Sequence, residues 1–98
     1  MIHDRDAVLR LLAAHKEELV RRFQVRDIAL FGSAARGSAR EGGDIDILVA
    51  FDEPATSSRY FGLQFFLEDM LGCPVDLVTD KALRPELRPF IEEEALYV

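Results

Sequence analysis

Three aspartates carry the chemistry open to this sequence. Asp44 and Asp46 stand two residues apart in the apolar run "DIDILVAF", and Asp76 interrupts a second apolar run, "VDLVT". On a strand, alternate side chains share a face. Asp44 and Asp46 are therefore expected to point together, with Cα atoms about 6–7 Å apart, while Ile45 and Ile47 face a core. Asp76 repeats the pattern between Val75 and Leu77. If the two runs are neighbouring strands, three carboxylates meet. Bare, they repel one another and raise their own pKa values; a divalent cation reverses that penalty. An all-oxygen set of this kind suits Mg²⁺, which keeps several waters and takes phosphate oxygens as further ligands. Upstream, Gly32-Ser33 ends the run "VRDIALF". A strand-to-helix junction offers free backbone N–H groups to an anion, Gly32 allows close approach, and Ser33 adds a hydroxyl. Arg36 is placed to meet either phosphate or an acidic neighbour. A phosphate cradle beside a carboxylate cluster is the equipment for in-line displacement at phosphorus with two metals about 3.5–4 Å apart.

A lone D-x-D is a weak signal, usually a solvated strand end; the weight comes from its company. An EF-hand is excluded, because "DIDILVAFDEPA" lacks the oxygen ligand at its fifth position, the glycine at its sixth and a closing Glu.

The elements that must position these residues follow from periodicity. "DRDAVLRLLAAHKEELVRRF" predicts one helix, with Val8, Leu12, Leu19 and Phe23 on a single stripe and Leu9 and Leu11 widening it. Val25 to Phe31 predicts a strand, "AARGSAR" a short helical turn, and Gly42-Gly43 a loop. "DIDILVAF" is the second strand. "SRYFGLQFFLEDMLG" predicts a helix with Tyr60, Leu63, Leu67, Met70 and Leu71 inward and Gly72 as its stop. "VDLVT" is the third strand. Pro85 and Pro89 cannot share one regular helix, so a break falls near Arg88, a helical turn starts at Pro89, and "ALYV" forms a short edge strand. The order argues an α/β (α+β) fold: a small mixed sheet of three to four strands flanked by helices. His3 and His15 read as exposed helix residues and Arg40 as a loop residue. Cys73, Tyr60 and Tyr97 read as packing, and Glu92-Glu93-Glu94 as a solvated helix face.

Length and charge bound the rest. The 98 residues, 49% hydrophobic, suit one domain. A net charge of −6 argues against direct nucleic-acid binding but is compatible with a basic protein partner, or with a polyphosphate that brings its own cations. A polar, acidic N-terminal stretch does not resemble a signal peptide, and no run is long enough to span a membrane. A single cysteine points to the reducing cytoplasm.

Gly32-Ser33, Ala35-Arg36-Gly37 and then Asp44-Ile45-Asp46 resemble the signature of the polymerase-β-type nucleotidyltransferases. Within that superfamily the chain is similar to the minimal nucleotidyltransferases, often antitoxins encoded beside a helical HEPN ribonuclease toxin. The resemblance covers nearly the whole chain, including "VDLVT" and "LRPELRPFIEEEALYV". It implies a single nucleotidyltransferase domain over residues 1–98. Asp44, Asp46 and Asp76 become the catalytic and metal-binding set for two Mg²⁺ ions. Gly32, Ser33 and Arg36 become the residues for the nucleotide's phosphates. It further implies ATP as donor and AMP transfer to a tyrosine of the toxin. One departure is Gly43, where the family usually has Ser before the first aspartate; an auxiliary hydrogen bond is lost.

Two other readings compete. One is a binding module that neutralises its partner by occlusion, its site vestigial. The other is a nucleotidyltransferase acting on a small molecule, a type that usually carries a further helical domain. With so little chain to grip base and acceptor, a partner or a second copy in a homo-oligomer is expected to complete the site.

Overall fold

The computed structural model describes residues 4–37 and 43–98; His3, Arg40 and Gly42 lie outside the described residues. The N-terminal stripe folds as two helices rather than the one expected, α1 (Arg5–Ala14) and α2 (Lys16–Phe23). Asp4 caps α1 by accepting from the Ala7 N–H. The break falls at His15 (φ −104°, ψ 7°). Its backbone N–H and its ring Nδ1 both meet the Leu11 carbonyl, at 3.1 and 2.9 Å. Its ring also packs edge-on to Phe66, with centroids 6.1 Å apart. His15 is thus half-buried, not the exposed residue expected, because the preceding turn and Phe66 hold its ring. The apolar stripe survives the break: Val8, Leu12, Leu19 and Phe23 are all buried.

The chain continues through β1 (Val25–Phe31), α3 (Gly32–Ala35) and β2 (Ile45–Phe51), then α4 (Ser57–Leu71) and β3 (Val75–Thr79). A 3₁₀ turn (Asp80–Ala82), α5 (Arg88–Glu94) and β4 (Leu96–Tyr97) complete it. Thr56 caps α4 through the Arg59 N–H, Leu63, Leu67 and Leu71 recur at helical spacing on its buried face, and Gly72 closes it at φ 71°. Pro89 sits in the first turn of α5, where its missing N–H has no helical partner to lose.

The sheet has four strands in the order β3-β2-β1-β4. β2 and β3 are parallel, and the other pairs are antiparallel. Alternation along the strands divides the interior. On one face Ile28, Leu30, Ile45, Ile47, Val49 and Leu77 pack with residues of α1, α2 and α4. On the other, Ala29, Phe31, Leu48 and Leu83 form a smaller cluster with Val78, Ile91 and Ala95. Among the described residues, no helix is long and apolar enough to cross a membrane.

Candidate active site

The parallel register of β2 and β3 sets Asp46 directly beside Asp76. Across the sheet Asp46 pairs with Phe31, the last residue of β1, and Gly32 follows immediately. Alternation aims Asp46 to the same side as Leu48, and Asp76 to the same side as Val78. Both carboxylates therefore stand on the smaller-cluster face, at the end of the sheet where α3 begins.

Gly32 makes this approach feasible. Its φ is +73°, and a Cβ built there would lie 2.2 Å from Oδ2 of Asp46. No side chain fits. The glycine expected to admit a phosphate thus first admits a carboxylate. Its amide is also engaged: the Gly32 N–H donates to Oε1 of Glu94 at 3.0 Å. Arg36 Nη1 donates to the other oxygen, Oε2, at 2.9 Å. Of the two expectations for Arg36, the acidic neighbour is the contact formed. Ser33 is half-buried one residue after Gly32, in a helix of a single turn.

Asp46 is held well above the usual carboxylate range, from 3.8 to about 6. Burial is the largest cause, followed by the charge of Asp76, a hydrogen bond with Asp76 and the charge of Asp44; Arg36 pulls the other way. Two carboxylates in hydrogen-bond contact favour sharing a proton. Asp44 is exposed and precedes β2, which begins at Ile45. Asp44 thus stands one residue before β2, at the same end of the sheet, and acts on Asp46 through its charge.

Among the described residues no three His, Cys, Asp or Glu side chains converge as a ready metal site. The donor chemistry nonetheless fits a hard divalent cation: oxygen ligands only, two of them already adjacent in register.

Glu94 was missed from sequence, where it reads as one of three solvated glutamates. Its side chain is 31% exposed and both its oxygens are engaged. The available signal was its position three residues after Ile91, which places the two on one helical face, and Ile91 packs on the sheet. Tyr60 keeps its packing role and donates to the Leu77 carbonyl, next to Asp76. Tyr97 does not pack as expected. It is 55% exposed on the two-residue edge strand, over the thinly covered face. Cys73 is buried, as expected. A cavity of about 640 Å³ lies between α4 and the far ends of β2 and β3, lined by Phe51, Tyr60, Phe61 and Leu77, and none of the three aspartates borders it.

Comparison with known proteins identifies relatives of the sequence and of the fold. The nucleotidyltransferase domain family matches residues 12–98. The protein adenylyltransferase MntA of Thermococcus cleftensis is 43% identical over 88 residues, covering 90% of this chain and 89% of that protein. The solved structure of a provisionally assigned minimal nucleotidyltransferase superposes with a TM-score of 0.81 at 39% identity, covering 95% of this chain and 94% of its own. The fold is also that of a Shewanella oneidensis complex of an MNT antitoxin with a tri-AMPylated HEPN toxin, at TM-score 0.64 and 23% identity, covering 90% and 69%. With its mixed four-stranded sheet, the chain belongs to the nucleotidyltransferase domain family and is similar in sequence to protein adenylyltransferases.

Proposed function

We propose that this chain is a Mg²⁺-dependent protein adenylyltransferase that moves AMP from ATP to a tyrosine hydroxyl of a HEPN toxin, and so acts as that toxin's antitoxin in the cytoplasm. The observation that carries the chemistry is Asp46 beside Asp76 in register, with Gly32 clearing the space for Asp46. The acceptor is argued from the relatives: one is named a protein adenylyltransferase, and the fold recurs in a complex whose toxin is AMPylated.

In this reading the acceptor oxygen attacks the α-phosphorus of ATP. The bond from that phosphorus to the bridging oxygen breaks, and pyrophosphate leaves. Asp44, Asp46 and Asp76 are the residues that would hold Mg²⁺, which when bound supplies charge neutralisation for the carboxylates and the phosphates. Asp76 is exposed and takes the hydroxyl proton as general base. Arg36 gives Nη1 to Glu94 and has further N–H donors in its fork for phosphate. Ser33 adds a hydroxyl beside them, and Gly32 contributes space more than an amide.

The test is incubation with labelled ATP, Mg²⁺ and a HEPN toxin, followed by intact mass of both proteins and mapping of the label. One AMP or more on a toxin tyrosine is expected. Tight binding with no mass gain indicates neutralisation by occlusion, and label on small molecules alone overturns the protein acceptor.

A further inference from the structure

Glu94 lies at a point fixed from two sides. One turn earlier Ile91 packs into the cluster under α5. Two residues later β4 pairs with β1, Leu96 opposite Leu30 and Tyr97 opposite Ala29, just before Gly32. Its carboxylate therefore meets the strand-to-helix turn from an anchored backbone. Each oxygen has its own donor: the amide of Gly32 at 3.0 Å and Nη1 of Arg36 at 2.9 Å. Arg36 is otherwise a long side chain, 56% exposed. Free, such a chain samples many rotamers; held by one nitrogen, its planar fork is aimed before any ligand arrives. The same carboxylate fixes the peptide of Gly32, whose orientation sets the room left for Asp46.

We propose that Glu94 is a positioning residue for the nucleotide, holding Arg36 and the Gly32 peptide in the geometry that receives the triphosphate. The proposal rests on the nucleotidyl-transfer reading above. The opposite idea, that the Glu94 carboxylate competes with phosphate for Arg36, predicts an effect of opposite sign, so affinity separates the two.

The experiment is calorimetric titration of Mg²⁺·ATP into the wild-type chain and into Glu94→Ala, Glu94→Gln, Arg36→Ala and the double variant Glu94→Ala/Arg36→Ala. Amide exchange at Gly32 is followed without nucleotide. Glu94→Ala is expected to weaken binding about tenfold, as befits loss of a charge-assisted contact. Glu94→Gln, which keeps an acceptor for the Gly32 N–H, falls between it and wild type. In the Arg36→Ala background, removing Glu94 costs less than about twofold, because coupled residues are not additive. The Gly32 amide exchanges faster in Glu94→Ala. A purely structural role would lower affinity by the same factor in both backgrounds, and that outcome overturns the proposal. Unchanged or tighter binding by Glu94→Ala overturns it too. If Glu94→Ala fails to fold, wild-type affinity in Glu94→Gln is the overturning result. A wild-type chain that does not bind Mg²⁺·ATP even with a HEPN toxin present refutes the functional reading itself, whereas normal binding indifferent to Glu94 refutes only this inference.

Discussion

On the face covered by α1, α2 and α4, Ile28, Leu30, Ile45 and Ile47 are wholly shielded from water. On the opposite face, α5 and the 3₁₀ turn cover a cluster of four buried residues, and Asp46 and Asp76 stand at the end of that face where α3 begins. The same two strands serve both faces: Ile45 and Ile47 look into the large core while Asp46, between them, looks out. The core face tolerates no polar group and gains from every methylene. The site face retains a carboxylate whose pKa is pushed up to about 6 and a glycine at positive φ. Stability is concentrated on one face so that the other can hold charges that favour neither burial nor each other's company.

Breaking the site face at its tightest point is expected to have the largest effect. Gly32→Ala places a methyl on the Asp46 carboxylate and forces an L-residue into left-handed backbone, a cost of about 1–2 kcal/mol. The displaced carboxylate is expected to lower transfer by more than about a hundredfold, read by initial rates on protein shown to be folded by circular dichroism. Breaking the core face gives a different signature. Leu67→Ala on α4, a fully buried residue, is expected to cost about 2–5 kcal/mol in urea unfolding while leaving the rate per folded molecule unchanged. A rate loss exceeding the unfolded fraction would show that the two faces are not independent.

Asp76→Ala tests chemistry apart from fold. The side chain is exposed, so the melting temperature is expected to stay within a few degrees while transfer falls about a hundredfold, the lower range for loss of a general base. Wild-type transfer would remove Asp76 from the site; Asp52 and Asp80, beyond the far ends of β2 and β3, are not placed to replace it.

The smallest effect is a gain. Asp46 has a folded-state pKa above its unfolded value of 3.8, so between about pH 4 and 6 the folded state binds more protons than the unfolded state. The stability this confers is complete below pH 4 and is lost as pH rises through about 6. Asp46→Asn removes the ionisation. At pH 7 without metal it is expected to be more stable than wild type by about 1 kcal/mol, solvent screening of a half-open site included, and at pH 4 the two should coincide. A variant less stable at pH 7 would contradict the cost assigned to the carboxylate.

How much of this was legible in sequence follows the same division. The large core was readable because each element had one job: Leu63, Leu67 and Leu71 repeat at helical spacing, and Ile45 and Ile47 alternate with a polar residue. The facing of Asp46 and Asp76 was readable for the same reason; that their strands pair in register is shown by the sheet. The break at His15 was not readable, because the apolar stripe runs unbroken through it, and the ring contact with Phe66 found there comes from a distant helix. The start of β2 after Asp44, rather than at it, is set by pairing of Ile45 with the β3 side, where its N–H donates to Pro74, and periodicity carries no trace of that. Glu94 was hidden among three consecutive glutamates; only the docking of Ile91 distinguishes it from Glu92 and Glu93, which are exposed.

The central claim is that Asp46 and Asp76 form a pair held in readiness for a cation. The direct measurement is an NMR titration of the Asp46 carboxyl carbon, with and without saturating Mg²⁺. Without the ion the midpoint is expected at about 6; with it, the midpoint should fall well below, because the cation favours the ionised form. A midpoint indifferent to Mg²⁺, or one already at the ordinary aspartate value in its absence, would contradict the account.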